Sequence, residues 1–136
     1  MSLRLGNLAL DGKCHVMGIL NVTPDSFYDG GLHYDLADTQ KRVDAMIKEG
    51  VEIIDIGGES TRPGSKPVNE NREWNRIKKI LKLIVKKIPI SLDTRKSSIM
   101  ENGIRMGVKL INDVSGLSYD LKTINILKKY KIPFVI

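Results

Sequence analysis

The segment 53–62 places a short apolar run directly before a cluster of side chains that could do chemistry. Its first four residues, Ile-Ile-Asp-Ile, have the β-branched character of a buried strand, and two glycines then end that strand. Ligands of α/β proteins bind beyond the carboxyl ends of parallel strands, so this loop is predicted to serve chemistry rather than packing. The loop presents a carboxylate, two hydroxyls and a guanidinium at Glu59, Ser60, Thr61 and Arg62.

The same order of apolar run and polar loop recurs three more times along the chain. Each run is short and rich in aliphatic residues, and each gives way to Asn or Asp. Such side chains can bind a ligand that offers both hydrogen-bond donors and acceptors, but at strand ends they also serve as loop caps. The runs and their first polar residues are 16–20 with Asn21, 90–92 with Asp93, and 109–111 with Asn112.

Four amphipathic helices are predicted between these strands, because apolar residues recur at helical spacing. Residues 3–10 alternate apolar side chains around Gly6 and Asn7, which predicts a hairpin laid across the start of the sheet. A fifth strand is expected to begin near Phe134. The helices are expected from Asp35 to Gly50, from Asn69 until Pro89 stops the helix, from about Ser97 to Gly107, and from about Asp120 with Leu121 on the apolar face.

Strictly alternating strands and helices predict an α/β fold with parallel strands and crossover helices. Either a doubly wound sheet or part of a (β/α)₈ barrel would fit this pattern, but 136 residues are too few for a complete barrel of roughly 250 residues. We therefore expect an incomplete TIM-type barrel with about five parallel strands, four helices and an N-terminal β-hairpin. Residues 1–136 form a single domain in this interpretation, with the hairpin at 3–10 and the barrel portion at 15–136.

The composition is that of an ordinary globular protein, with 41% hydrophobic and 28% charged residues. The sequence has one cysteine and no zinc-ligand spacing, and we find in it neither a signal peptide nor an apolar run of membrane-spanning length. These features predict a cytoplasmic location without membrane contact. The net charge of +6 is concentrated in lysines of one predicted helix, and few aromatic residues accompany them. This pattern indicates a solvated helix face, so no nucleic-acid partner is expected.

Two long motifs stand at the ends of the first two predicted strands. The first is Met-Gly-Ile-Leu-Asn-Val-Thr-Pro-Asp-Ser-Phe at 17–27, and the second is Ile-Asp-Ile-Gly-Gly-Glu-Ser-Thr-Arg-Pro-Gly at 54–64. Both resemble the signatures of the dihydropteroate synthase family of pterin-binding (β/α)₈ enzymes. Shorter matches, Leu-Asp-Thr at 92–94 and Ile-Asn-Asp at 111–113, fall at the third and fourth strand ends, where the family has its pterin contacts. The resemblance extends over essentially the whole chain.

The resemblance implies that 6-hydroxymethyl-7,8-dihydropterin pyrophosphate condenses with 4-aminobenzoate to give 7,8-dihydropteroate and pyrophosphate, assisted by Mg²⁺. Asp93 and Asn112 resemble the residues that bind the pterin, and Asn21 the residue that helps to hold magnesium and pyrophosphate. Thr61 and Arg62 match residues that contact pyrophosphate or aminobenzoate. Pro63 and Phe27 resemble the apolar wall around the aminobenzoate ring, where sulfonamide drugs would be expected to press.

The mechanism that the resemblance implies requires no nucleophile and no general base, so none is assigned. The protein mainly positions the two substrates and stabilises the charge of the leaving pyrophosphate. Cys14 and His15 precede the first strand and His33 lies near the first loop, so we expect all three to be non-catalytic. Asp55 and Glu59 are local carboxylates for which the sequence suggests no catalytic role.

The chain lacks three motifs that the family carries in its last barrel strands, namely Asp-Pro-Gly-Phe-Gly-Phe, Ser-Arg-Lys and Arg-x-His. The expectation is therefore the N-terminal portion of a synthase, which holds only part of the active site. Open strand edges favour association, so a homo-oligomer is expected; the full-length family forms dimers. Two alternatives are a non-catalytic half-barrel that binds a pterin or a partner chain, and a pterin-dependent methyltransferase, which the loops after Asn21 and Gly58 argue against.

Overall fold

The computed structural model describes residues 3–23, 36–60 and 63–136. Two short strands, β1 (Leu3–Leu5) and β2 (Leu8–Leu10), pair antiparallel around Gly6, whose positive φ of 63° suits a tight turn. The side chain of Leu5 packs against the first residues of two later strands, at Ile53 and Leu110. The predicted hairpin is confirmed, and it covers the amino-terminal end of the main sheet.

In the described residues, the main sheet has five parallel strands that are hydrogen-bonded in the order in which they occur along the chain. A doubly wound sheet would reverse its strand order partway, whereas this order is that of a barrel arc. The structure therefore confirms the incomplete TIM-type barrel. The strands are β3 (Met17–Asn21), β4 (Ile53–Gly57), β5 (Ile90–Asp93), β6 (Leu110–Asn112) and β7 (Phe134–Val135), and the helices between them are α1 (Leu36–Lys48), α2 (Glu70–Ile84), α3 (Ser97–Met106) and α4 (Thr123–Tyr130).

The hydrophobic core lies between one face of this sheet and the helices. Strand side chains alternate between two faces, so every second residue of each strand points towards the helices. The buried strand residues include Leu20, Ile54, Ile56, Leu92 and Ile111, and the helices contribute Val43, Ile77, Leu81, Ile99, Met100 and Leu127. The other face carries polar groups at its carboxyl edge and exposed apolar residues at Met17 and Ile19.

The observed helix boundaries agree with the predicted ones where the capping residue lies next to the helix in the sequence. Asn69 accepts a hydrogen bond from the backbone N–H of Asn71 at 2.9 Å and so caps α2, and Gly107 ends α3 with a positive φ of 109°. However, α2 ends at Ile84, before the predicted stop at Pro89. The first helix is described only from Leu36, so the predicted cap at Asp35 lies outside the described residues.

The last helix begins later than the sequence predicted. Asp120 is a cap, but one of its oxygens accepts from the backbone N–H of Ser97 at the start of α3, at 2.9 Å. Its other oxygen accepts from the N–H of Lys122, and α4 begins only at Thr123. Leu121 therefore precedes the helix and is exposed rather than part of its apolar face. No helix in the three described segments is long and apolar enough to cross a membrane.

Gly103 on α3 allows this helix to lie close to β5. A Cβ atom at this position would clash with Leu92 Cδ2, and Leu92 is fully buried. We expect Gly103→Val to lower the free energy of unfolding by about 2–3 kcal/mol, because overpacking forces the helix away from the sheet. Urea denaturation measures this change. Asn102→Ala, at an exposed position beside it, should change stability by less than about 0.5 kcal/mol, and an equal effect of both variants would contradict the prediction.

Candidate active site

Four residues at the carboxyl ends of neighbouring strands form one row across the sheet. Asn21 lies opposite Gly57, Gly57 opposite Asp93, and Asp93 opposite Asn112. Residues that share a register position in a parallel sheet point to the same face. Gly57 has no side chain, and a Cβ atom there would lie 3.3 Å from Asp93 Oδ2 and 3.7 Å from Asn21 Oδ1. The carboxyl and amide groups therefore converge over the backbone of Gly57. We call these four residues the strand-end row.

Asp55 supports the strand-end row from one pleat below. The side chain is buried, and its Oδ1 accepts a hydrogen bond of 2.5 Å from Ser91 Oγ, the residue opposite it on β5. Its Oδ2 accepts from Asn112 Nδ2 at 3.3 Å. Because this contact turns the amide nitrogen of Asn112 towards Asp55, the amide oxygen is turned the other way. Burial raises the pKa of Asp55, and the hydrogen bonds from Ser91 and Asn112 act in the opposite direction.

Asp93 is the ionisable member of the strand-end row, and its pKa is raised. Burial is the main cause, and the neighbouring carboxylates of Asp55, Glu73, Asp113 and Glu59 add to it, so that the pKa of Asp93 rises from 3.8 to about 7. Near neutral pH this carboxyl group exists in both protonation states. A polar ligand with hydrogen-bond donors would favour the ionised state, because a carboxylate offers only acceptors.

A second charged group, the Lys96 cluster, joins the described residues between β4 and α2 (58–60 and 63–69) to the start of α3. The ammonium group of Lys96 donates to Glu59 Oε2 at 2.8 Å, to Glu73 Oε2 at 2.5 Å and to the carbonyl oxygen of Val68 at 2.7 Å. Burial acts to lower the pKa of Lys96, but the hydrogen bonds to Glu59 and Glu73 raise it above its ordinary value. The cluster consists of Glu59, Glu73, Thr94, Arg95 and Lys96.

The structure brings together three of the site residues that the sequence predicted, namely Asn21, Asp93 and Asn112. Pro63 is exposed at a turn. The predicted positions Phe27, Thr61 and Arg62 lie outside the described residues.

The sequence did not reveal the Lys96 cluster or the support that Asp55 gives to Asn112. Lys96 directly follows the polar segment 93–95, but no periodicity or spacing links it to Glu59. In residues 3–23, 36–60 and 63–136, no three His, Cys, Asp or Glu side chains are grouped so that they could hold a metal ion.

Comparisons with known proteins point in one direction. A family model described as pterin binding enzyme matches residues 17–136. A dihydropteroate synthase of Bacillus subtilis is 42% identical over 131 residues, which cover 95% of this chain and 46% of that protein. The chain thus spans about half the length of this relative.

Solved structures agree with the sequence comparison. A Clostridium difficile dihydropteroate synthase, crystallised in the presence of pteroic acid, superposes with a TM-score of 0.83 at 41% sequence identity. The match covers 88% of this chain and 46% of that enzyme's chain. The Xanthomonas albilineans enzyme with 4-aminobenzoic acid superposes with a TM-score of 0.85 at 37% sequence identity. That match covers 95% of this chain and 47% of the Xanthomonas chain.

Proposed function

Since this chain belongs to the pterin-binding enzyme family, we propose that it carries the pterin-binding part of a dihydropteroate synthase active site. The reaction would join 6-hydroxymethyl-7,8-dihydropterin pyrophosphate to 4-aminobenzoate and would release pyrophosphate. The single observation that supports this assignment best is the strand-end row, in which a carboxyl group and an oriented carboxamide face the same space. A pterin edge offers ring N–H and amino donors beside acceptors, which matches these two groups.

Asp93 would accept hydrogen bonds from the pterin donors, and Asn112 would present its amide oxygen. The second contact depends on Asp55, which holds the amide nitrogen of Asn112 on the other side. Bond making and breaking then take place at the pterin methylene. Its C–O bond to pyrophosphate would break with the electron pair on the leaving oxygen, and the aminobenzoate nitrogen would form the new C–N bond. That nitrogen would then lose a proton to water or to the released pyrophosphate. This chemistry needs positioned partners rather than a protein nucleophile.

Asn21 is suited to the magnesium and pyrophosphate end of the site. Its amide oxygen is an uncharged hard donor on the exposed edge of the strand-end row, on the same face as Asp93. Mg²⁺ keeps several waters and is commonly held by one or two protein oxygens together with substrate phosphates, so a single amide oxygen fits this ion. When bound, the ion would supply charge neutralisation for the leaving pyrophosphate. Thr61 and Arg62 would contact the same anion, and Phe27 and Pro63 the aminobenzoate ring.

A cytoplasmic location and a homo-oligomeric state complete the proposal. The face of the sheet that carries the row also exposes apolar side chains, with Ile19 at 59% and Met17 at 41% of full exposure. Exposed apolar side chains on a sheet face favour association with another polypeptide, which a second copy of this chain would supply. Sedimentation of the purified chain measures the state directly, and a monodisperse monomer that melts cooperatively would contradict this part of the proposal.

Pterin binding and product formation by the purified chain test the proposed function. We expect binding of 6-hydroxymethylpterin, followed by its intrinsic fluorescence, and an affinity that falls about 10-fold in Asn112→Ala, because one or two hydrogen bonds are lost. Asn125→Ala, at an exposed position on α4, serves as the matched control and should leave the affinity unchanged. Absence of pterin binding would contradict the proposal, whereas binding without dihydropteroate formation would support the alternative of a non-catalytic pterin-binding half-barrel.

A further inference from the structure

A cavity of about 520 Å³ lies at the amino-terminal end of the sheet, at the opposite strand ends from the strand-end row. Its walls come from the hairpin (residues 5–8), from the connection between α2 and β5 (residues 85–89), and from Glu52 and Lys109, which directly precede β4 and β6. We call this space the hairpin cavity. Clefts of roughly 300–1,000 Å³ are the usual size of small-molecule sites, so the cavity has room for such a ligand.

The base of the hairpin cavity is apolar. Leu5 is 1% exposed and Ile88 is 7% exposed, and the partly buried side chains of Leu8 and Val85 extend this surface towards solvent. None of these four side chains can hydrogen-bond to a ligand, so the base would favour an apolar group that removes it from water.

The turn of the hairpin and the side chain of Lys109 form one wall together. Gly6 has a positive φ of 63°, and a Cβ atom there would lie 3.5 Å from Lys109 Cε and 3.8 Å from Lys109 Cγ. The aliphatic stem of Lys109 therefore runs along the turn. A lysine that packs its stem in this way keeps its ammonium group in contact with water, at the rim of the cavity.

The rim of the hairpin cavity is positively charged. Three ammonium groups, those of Lys86, Lys87 and Lys109, stand against the single carboxylate of Glu52, which gives a net charge of +2. Lys87 donates to Asp44 at 2.8 Å. Within residues 3–23, 36–60 and 63–136, however, the ammonium groups of Lys86 and Lys109 have no hydrogen-bond or ion-pair partner. Two cations at this rim are therefore available to a ligand.

We propose that the hairpin cavity binds a small organic phosphate monoester, with its apolar body on Leu5 and Ile88 and its phosphate group between Lys86 and Lys109. A phosphate monoester carries a charge of about −1.5 to −2 at neutral pH, which matches two ammonium groups better than a single carboxylate would. Lysine is a common point-charge partner of phosphate. Because the strand-end row lies at the other end of the strands, this site is independent of the function proposed above.

Titration with naphthyl phosphate, followed by its fluorescence, tests the proposed ligand class. We expect a Kd of roughly 0.1–1 mM, because an apolar surface and two exposed cations act together. Inorganic phosphate lacks the apolar body and naphthol lacks the charge, so each should bind at least about 10-fold more weakly. Equal affinity for inorganic phosphate, or no binding of naphthyl phosphate at about 10 mM, would overturn the proposal.

Paired lysine variants separate a specific site from a general effect of charge. Lys86→Met/Lys109→Met should weaken naphthyl phosphate binding by about 10-fold or more, while the urea midpoint and the affinity for 6-hydroxymethylpterin stay unchanged. Lys79→Met/Lys128→Met removes the same charge from exposed positions on α2 and α4, and it should bind naphthyl phosphate as the unmodified chain does. Equal weakening by both pairs of substitutions would overturn the proposal.

Amide chemical shifts measured by NMR locate the bound ligand. Naphthyl phosphate should shift the amide signals of residues 5–8 and 85–88, which line the hairpin cavity, and should leave those of residues 57–60 beside the strand-end row in place. In Lys86→Met/Lys109→Met these shifts should disappear at the same ligand concentration. Shifts confined to residues 57–60 would place the ligand at the other end of the sheet and would contradict a site at the hairpin.

Discussion

Asp93→Asn is expected to weaken binding of 6-hydroxymethylpterin about 100-fold. The carboxylate accepts hydrogen bonds from the pterin donors, whereas the amide of asparagine can turn a donor towards them. A charge-assisted hydrogen bond contributes about 1.5–3 kcal/mol, and a buried unpaired donor adds about 1 kcal/mol more, so about 3 kcal/mol or 100-fold is the expected loss. Asp38→Asn, at an exposed position on α1, is the control and should bind as the unmodified chain does.

The same substitution should stabilise the folded chain at pH 8. The pKa of Asp93 is raised from 3.8 to about 7, so between these pH values the folded chain keeps a proton that the unfolded chain has released. The free energy of unfolding therefore falls as the pH rises through this window, and the full effect is present above pH 7. At about 1.36 kcal/mol per pH unit, reduced for the partial exposure of Asp93, Asp93→Asn should gain about 2–4 kcal/mol at pH 8 and nothing at pH 4.

Urea denaturation at pH 4 and pH 8, combined with pterin titrations between pH 5 and 9, tests both effects. Binding to the unmodified chain should weaken about 10-fold for each pH unit below 7, because the ligand selects the ionised carboxylate, and should level off above pH 7. In Asp93→Asn this slope should disappear. Pterin affinity within threefold of the unmodified chain, or the same stability difference at both pH values, would show that Asp93 does not have this role.

Gly57→Val is expected to reduce pterin affinity by more than 100-fold while the chain stays folded. Gly57 forms the floor of the strand-end row, where a Cβ atom would already lie 3.3 Å from Asp93 Oδ2. The two methyl groups of valine would fill the space between Asn21 and Asp93 and would displace both side chains. A β-branched residue suits a central strand, so the sheet itself should tolerate the change.

Isothermal titration with 6-hydroxymethylpterin measures this loss, and urea denaturation confirms that the variant folds. Gly57→Ala is the graded control: its single methyl group contacts Asp93 without filling the row, so an intermediate loss of about 10-fold is expected. If the valine variant is folded and binds pterin as the unmodified chain does, the ligand does not lie over Gly57, and the strand-end row is not its site.

The sequence predicted those parts of the fold that local chemistry determines. The hairpin around Gly6, the cap at Asn69 and the end of α3 at Gly107 depend on residues close to each other along the chain, and all three are confirmed. The helix α4 begins at Thr123, three residues later than predicted, and one oxygen of Asp120 binds Ser97, a partner 23 positions away. A long-range hydrogen bond of this kind leaves no local signal.

In the candidate site, too, the sequence predicted the features that local residues determine and missed those that depend on long-range contacts. Strand ends carrying Asn21, Asp93 and Asn112 could be found from apolar runs, but their common register depends on how the strands pair. Asp55 was recognised only as a local carboxylate, since its contact with Asn112 joins β4 to β6. Lys96 looked like any charged residue, because burial cannot be read from one isolated lysine.

The pairing of each strand only with its neighbours along the chain has a consequence for folding. Among the five described strands every pairing joins consecutive strands, so the entropic penalty of closing the loops between them stays small. The sheet can grow one β–α unit at a time from β3 as the chain emerges from the ribosome. Asn112, on β6, is the last member of the strand-end row to be synthesised, so a nascent chain would complete the row only after β3, β4 and β5 have formed.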